Sequence, residues 1–324
     1  MNPDSKDDIS RNHFRVPLMI EILPPELGKE QEGLSRHKAY LDSIRQRVPV
    51  DVINLPEIQD ETQKGDRGKR RSAFKRRVSP RDYARMLAEF MDTEYVINRV
   101  IVKQPPADQE QWLLDTRREY GIRKVVFVGG ESPEIEYPGP SVTEGNRMAK
   151  QFLNRGRHRY LDGSLPSTDF SVGNICIPNR DVGGISEAQR VFQKCESGAD
   201  FFTTQIITES ETPVSMLDEL SGLLTEKAAR LPMIYWSFTP VSAQKDIDFL
   251  RWLGVFIPEK VEWQIMQSGD PAEASLDLMT EVWERIHSFN SALPVPVPMA
   301  LNITAMGLRN FPHARELATR LIKI

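Results

Sequence analysis

The chain is poor in the residues that carry the commonest site chemistries. Its 324 residues include two cysteines, Cys176 and Cys195, too few for a disulfide framework or a four-thiolate zinc site. Both lie in apolar-periodic segments, which predicts buried free thiols in a reducing compartment. The five histidines, His13, His37, His158, His287 and His313, are scattered. None has the HxxxH or HExxH spacing that puts two zinc ligands on one helical face, so no metal site is expected. A GxSxG elbow and a Walker loop are both missing, which leaves nucleophilic hydrolysis and P-loop phosphate binding without support. No run approaches the roughly 18 apolar residues that span a bilayer, and no membrane association is expected. Met1 to Asn12 are polar and mixed in charge with no apolar h-region, so residues 1–15 read as a disordered leader and the expected location is cytoplasmic. A net charge of −4 argues against nucleic acid as a partner.

What the chain does have is alternation. Short apolar runs over 16–23, 50–55, 95–102, 124–128, 170–177, 200–207, 232–238 and 298–303 read as strands. Longer amphipathic runs over 29–47, 79–92, 108–120, 141–153, 186–197, 212–230, 242–253 and 309–323 read as helices. Ser79-Pro80 opens the second helix as an N-cap with proline at the first position. Gly121, Gly198 and Gly254 close others. Strand–helix alternation implies a parallel sheet. Eight repeats predict a single α/β domain over 16–324, a closed (β/α)₈ barrel, with an extra helix over 270–290 before strand eight. An open doubly wound sheet is the alternative, but it usually carries a Gly-rich phosphate loop after strand one. Leu23-Pro24-Pro25-Glu26 stands there instead.

In a barrel the carboxyl ends of the strands converge on the site. Those ends read as Glu21, Asn54, Lys103, Glu131, Asn179, Gln205, Thr239 and Asn302. Glu21 closes the apolar run Val16–Ile20, and two prolines follow almost at once. A carboxylate there either points to solvent or has its pKa moved towards neutrality and serves as an acid. Gln205 and Asn302 each offer a donor and an acceptor to an amide or heterocycle edge. The loop 57–78 carries eight cations between Lys64 and Arg77, a solvated loop or a grip on phosphates or a polyglutamate tail. Trp236, Trp252, Trp263 and Trp283 fit core packing, or an interface that would make a homo-oligomer.

Several of these segments together resemble the methylenetetrahydrofolate reductases. Glu21-Ile22-Leu23-Pro24-Pro25 resembles that family's Glu-Phe-Phe-Pro-Pro at strand one. Gly121 to Val128, followed by Gly129-Gly130-Glu131-Ser132-Pro133, resembles strand four and its Arg-Gly-Asp-Pro turn. Lys194-Cys195-Glu196-Ser197-Gly198-Ala199-Asp200-Phe201 leading to Thr204-Gln205 resembles a further stretch. Thr239-Pro240-Val241, Gly254 to Pro258 and Leu301-Asn302 follow in matching order. The resemblance implies a flavin-dependent oxidoreductase of folate one-carbon metabolism, with FAD as cofactor and NAD(P)H as electron donor. It makes Glu21 the general acid that opens a folate's methylene bridge, and it puts Glu131 and Gln205 against the folate, where the strand-end amide of Asn302 is expected to join them. Asn54, Arg99, Glu187 and Lys194 fall at flavin-contact positions. The chain departs from the family at Asn54-Leu55-Pro56-Glu57, at Gly129 where the family has arginine, at Arg99 where it has histidine, and at Ile177-Pro178 where it has Tyr-Pro. The alternatives are a flavin-free folate-binding barrel, which would pass hydride directly from a nicotinamide or handle a methyl group, and a non-catalytic barrel subunit.

Overall fold

The computed structural model describes residues 15–60, 74–131, 135–159, 170–227 and 229–324, with backbone alone over 151–159. The expected leader up to residue 14, the cations Lys64 to Arg71 of the basic loop, Ser132-Pro133 and the stretch 160–169 lie outside the described residues. Twenty elements follow one another: β1 (Leu18–Glu21), α1 (Glu30–Arg45), β2 (Val52–Leu55), α2 (Pro80–Ala88), β3 (Glu94–Val100), α3 (Pro106–Arg118), β4 (Lys124–Val128), α4 (Val142–Arg159), β5 (Ser171–Cys176), β6 (Asp181–Val182), β7 (Ile185–Ser186), α5 (Glu187–Glu196), β8 (Phe201–Ile206), α6 (Glu211–Glu226), β9 (Met233–Phe238), α7 (Gln244–Trp252), α8 (Glu259–Met266), α9 (Pro271–Ala292), β10 (Met299–Thr304) and α10 (Phe311–Leu321). Eight parallel strands close into a barrel in the order β1-β10-β9-β8-β5-β4-β3-β2, and β6 and β7 form a separate hairpin. This is the (β/α)₈ barrel that the alternation predicts.

Outward-facing strand residues such as Leu18, Ile20, Ile53, Phe127, Phe202 and Trp236 pack under the helices. Met19, Val52, Val96, Val126, Phe201, Tyr235 and Ala300 form a second, inner cluster that fills the barrel floor. Strands buried on both faces read as near-continuous apolar runs, which is why the sequence displays them. One inward position is glycine for a steric reason. A Cβ on Gly173 would sit 2.4 Å from the Phe201 ring, so that ring occupies the space. Gly33 likewise lets α1 approach the double proline after β1, since a Cβ there would lie 2.5 Å from Pro25.

Two expectations about elements need correction. The helix over 270–290 is not the extra one. As α9 it packs between α6 and α10 and belongs to the ring around the barrel. The insertion is the pair α7 and α8, whose apolar residues Val241, Ile247, Leu250, Val255, Ile257 and Val261 form a small cluster of their own. α8 is too short, at eight residues, to show a helical period in the sequence. Strand three stops at Val100, and Ile101–Lys103 is a 3₁₀ turn, so Lys103 is not a strand end. Of the tryptophans, Trp236 and Trp283 are core, whereas Trp263 on α8 is 65% exposed.

Candidate active site at the barrel mouth

The strand register arranges the inward residues in successive rings of four, each drawn from alternate strands. Met19, Val96, Gly173 and Tyr235 make one ring. Above it come Asn54, Val126, Thr203 and Asn302. Above that stand Glu21, Asn98, Ile175 and Ser237. The lumen thus changes from apolar to polar towards the carboxyl ends. Its apolar residues at that height, Val126 and Ile175, come from the adjacent strands β4 and β5, so the mouth has one polar wall and one apolar wall.

Glu21 sits on the polar wall. Asn54 Nδ2 donates to its Oε2 at 2.8 Å, and Thr304 Oγ1 lies 3.4 Å from Oε1. Asn302 is a third donor to the carboxyl, and its amide also donates to Ser237 Oγ at 3.0 Å. Burial raises the Glu21 pKa above the ordinary carboxylate value, and the bonds from Asn54, Asn302 and Thr304 oppose that rise without cancelling it. A carboxyl held by neutral donors in a desolvated mouth is equipped to carry and release a proton.

The other candidates separate. Asn302 and Asn54 meet at Glu21. Gln205 lies where the β8–β9 register shifts between Thr203 and Ile206. The shift re-aims its side chain, and Gln205 Oε1 accepts from the next residue's N–H at 3.0 Å. Glu131 stands three residues beyond β4. It accepts from Lys103 Nζ at 3.1 Å, and its backbone N–H donates to Tyr137 Oη at 2.9 Å.

Arg99, Glu187 and Lys194 are engaged away from the lumen. Arg99 lies on the outer face of β3, bonded to Gln109 and Glu57 at 2.9 Å each, with its guanidinium 4.9 Å from the Trp112 ring centroid. Glu187 is fully buried and takes a bidentate pair of 2.7 Å bonds from Arg180 plus the Ile177 N–H at 2.9 Å. Lys194 donates to the Ile175 carbonyl at 2.7 Å and stands 3.9 Å from Glu187, with burial lowering its pKa. These three side chains already have partners within the protein. Asn54, the fourth, is bonded to Glu21.

Sequence reasoning missed Asn98, Ser237 and Thr304 on the polar wall, and Glu57 and Arg180 as the partners that commit Arg99 and Glu187. The period-two pattern of Val96-Ile97-Asn98-Arg99 carried the signal for Asn98, because Val96 and Asn98 share a face.

Fold and mouth define a (β/α)₈ barrel with a half-buried carboxyl among amides at its carboxyl rim. No family model and no curated protein matches the chain. Among solved structures it is similar to an uncharacterized protein from Clostridium thermocellum that binds two copies of 5-methyl-5,6,7,8-tetrahydrofolic acid. The identity is 18% over 95% of each chain, with a TM-score of 0.74. It is also similar to the EDTA monooxygenase of Chelativorans sp. BNC1, at 10% identity over 95% of this chain and 93% of that one, with a TM-score of 0.51. At these identities the likeness is one of fold.

Proposed function

We propose that the chain binds a folate at the barrel mouth, with Glu21 as its acid. The observation that carries this reading is the Glu21 carboxyl, desolvated, held by Asn54, Asn302 and Thr304, and raised in pKa. Support comes from the Glu21-Ile22-Leu23-Pro24-Pro25 resemblance and from the methyltetrahydrofolate-binding protein of like fold. A pterin is flat and edged with donors and acceptors, which suits a mouth with one apolar and one amide-lined wall.

The finer reading is an oxidoreductase acting on the one-carbon unit. Glu21 gives its proton to the bridging nitrogen as the methylene C–N bond breaks, and the electron pair stays on that nitrogen. The iminium so formed accepts a hydride from a nicotinamide. We favour direct transfer over a flavin relay because Arg99, Glu187 and Lys194 are committed elsewhere.

Titration calorimetry with 5-methyltetrahydrofolate should show binding, and none by the wild type would sink the reading. Glu21→Gln should keep that binding within a few-fold and lower methylenetetrahydrofolate-dependent NAD(P)H oxidation by about 10²–10⁴-fold. An absorption spectrum showing tightly bound flavin in the pure protein would overturn the direct-transfer version alone.

A further inference from the structure

Among the described residues, Asn54 Oδ1, Asn302 Oδ1, Thr203 Oγ1 and Asn98 Oδ1 of these lumen rings are buried without a hydrogen-bond partner, as is Thr239 Oγ1 just beyond β9. A buried acceptor left alone is destabilising, and native interiors keep few of them. That several fall in two adjacent rings of one barrel points to a ligand that brings the missing donors. Asn54 and Asn302 have a second task, since each donates to Glu21. Asn98 has none. It is 9% exposed, it shares the Glu21 ring by register, and Val126 stands beside it on β4. A buried amide whose carbonyl oxygen has no partner among the described residues, level with Glu21, is placed to read the ligand.

We propose that Asn98 is a specificity-determining contact whose carbonyl accepts an N–H from the edge of the heterocycle that Glu21 protonates. The ligand class is a planar nitrogen heterocycle with an amino or ring N–H donor on the edge facing β3. The assignment rests on the folate reading and goes beyond it by placing recognition on a wall to which neither the fold likeness nor the motifs point.

The assignment predicts opposite signs for stability and binding. In Asn98→Leu a side chain of similar volume replaces a buried polar group that has no partner, so the unliganded protein keeps or gains melting temperature. The ligand's N–H then faces a methyl group, and the Kd for 5-methyltetrahydrofolate rises by about ten-fold or more. Asn98→Ala is measured alongside, and the same loss of affinity is expected from it should the leucine variant fail to fold. Melting temperature and calorimetry with 5-methyltetrahydrofolate read both quantities. Wild-type binding with an unchanged Kd in the folded variants overturns the assignment and leaves the folate reading standing. A melting temperature that drops by several degrees with Kd unchanged makes Asn98 structural. Failure of the wild type to bind the folate overturns both.

Discussion

Two glutamates near the carboxyl rim, one fully buried and one half-buried, keep different company. Glu187, at the start of α5, meets a guanidinium in a bidentate pair, a backbone N–H and a nearby ammonium. Glu21, at the end of β1, meets two amides and a hydroxyl, all neutral. The first arrangement compensates a buried charge and ties the loop after β5 to its helix. The second leaves the charge poorly compensated, so the proton is held more tightly. The same residue type at the same end of the barrel is therefore ion-paired in one place and held only by neutral donors in the other, which is the setting the proposed acid role needs. The resemblance placed both at functional positions, and only the geometry separates them.

The contrast is broken most directly by removing the ion-paired glutamate. Glu187→Ala leaves Lys194, 14% exposed, without its carboxylate, while Arg180 at 31% can turn partly to water. Loss of one partner of a buried pair costs about 3–5 kcal/mol, and the lower end is expected here. Urea denaturation with the m-value held constant measures it. A loss under about 1 kcal/mol would return Glu187 to the list of ligand contacts.

Arg99 sharpens the comparison from a second corner. Arg99→Met takes the guanidinium from Glu57, which is 17% exposed and also accepts the Val100 N–H at 2.8 Å. A loss of about 1–3 kcal/mol is expected from the carboxylate left behind. Folate affinity should be unchanged, because the side chain lies outside the lumen. Calorimetry on the refolded variant checks the second half, and a weakened affinity would place Arg99 in the site.

How much of this was legible depended on whether a feature was local. The fourth strand is predicted and observed over Lys124–Val128, because three buried apolar residues between half-buried ends read directly as an apolar run. Glu21 was visible as the lone carboxylate closing such a run. Asn98 was overlooked because strand three was extended to Val102, which shifted attention from the alternating face to a false end at Lys103. The commitments of Arg99 and Glu187 were out of reach for another reason. Glu57 is 42 residues from Arg99 in sequence, and Arg180 binds Glu187 across the β6–β7 hairpin, whose two-residue strands are too short to show a period. Side-chain direction at that range is set by the closed fold. The α7–α8 insertion was misplaced because a ring helix and an inserted helix carry the same periodicity, and only their packing against α6 and α10 tells them apart.

The mildest expected effect tests the acid itself without any ligand. In the folded chain burial raises the Glu21 pKa above the ordinary value of 4.5. Between that value and the folded pKa the native state holds a proton that the unfolded chain has lost. Stability then falls as pH rises, since unfolding releases the proton. The contribution is fully present below about pH 4.5 and disappears as pH climbs through the folded pKa. Glu21→Gln removes this titration while keeping the side chain's shape. The two proteins should therefore differ by a constant amount at acid pH, and the variant should gain on the wild type above it. The slope of that gain is at most about 1.4 kcal/mol per pH unit, the value for one proton. Denaturation of both proteins from pH 4 to pH 8 measures it. A difference that stays flat, or one that moves in favour of the wild type, would mean that Glu21 ionises as easily in the barrel as in water. The distinction between Glu21 and the ion-paired Glu187 would then be lost.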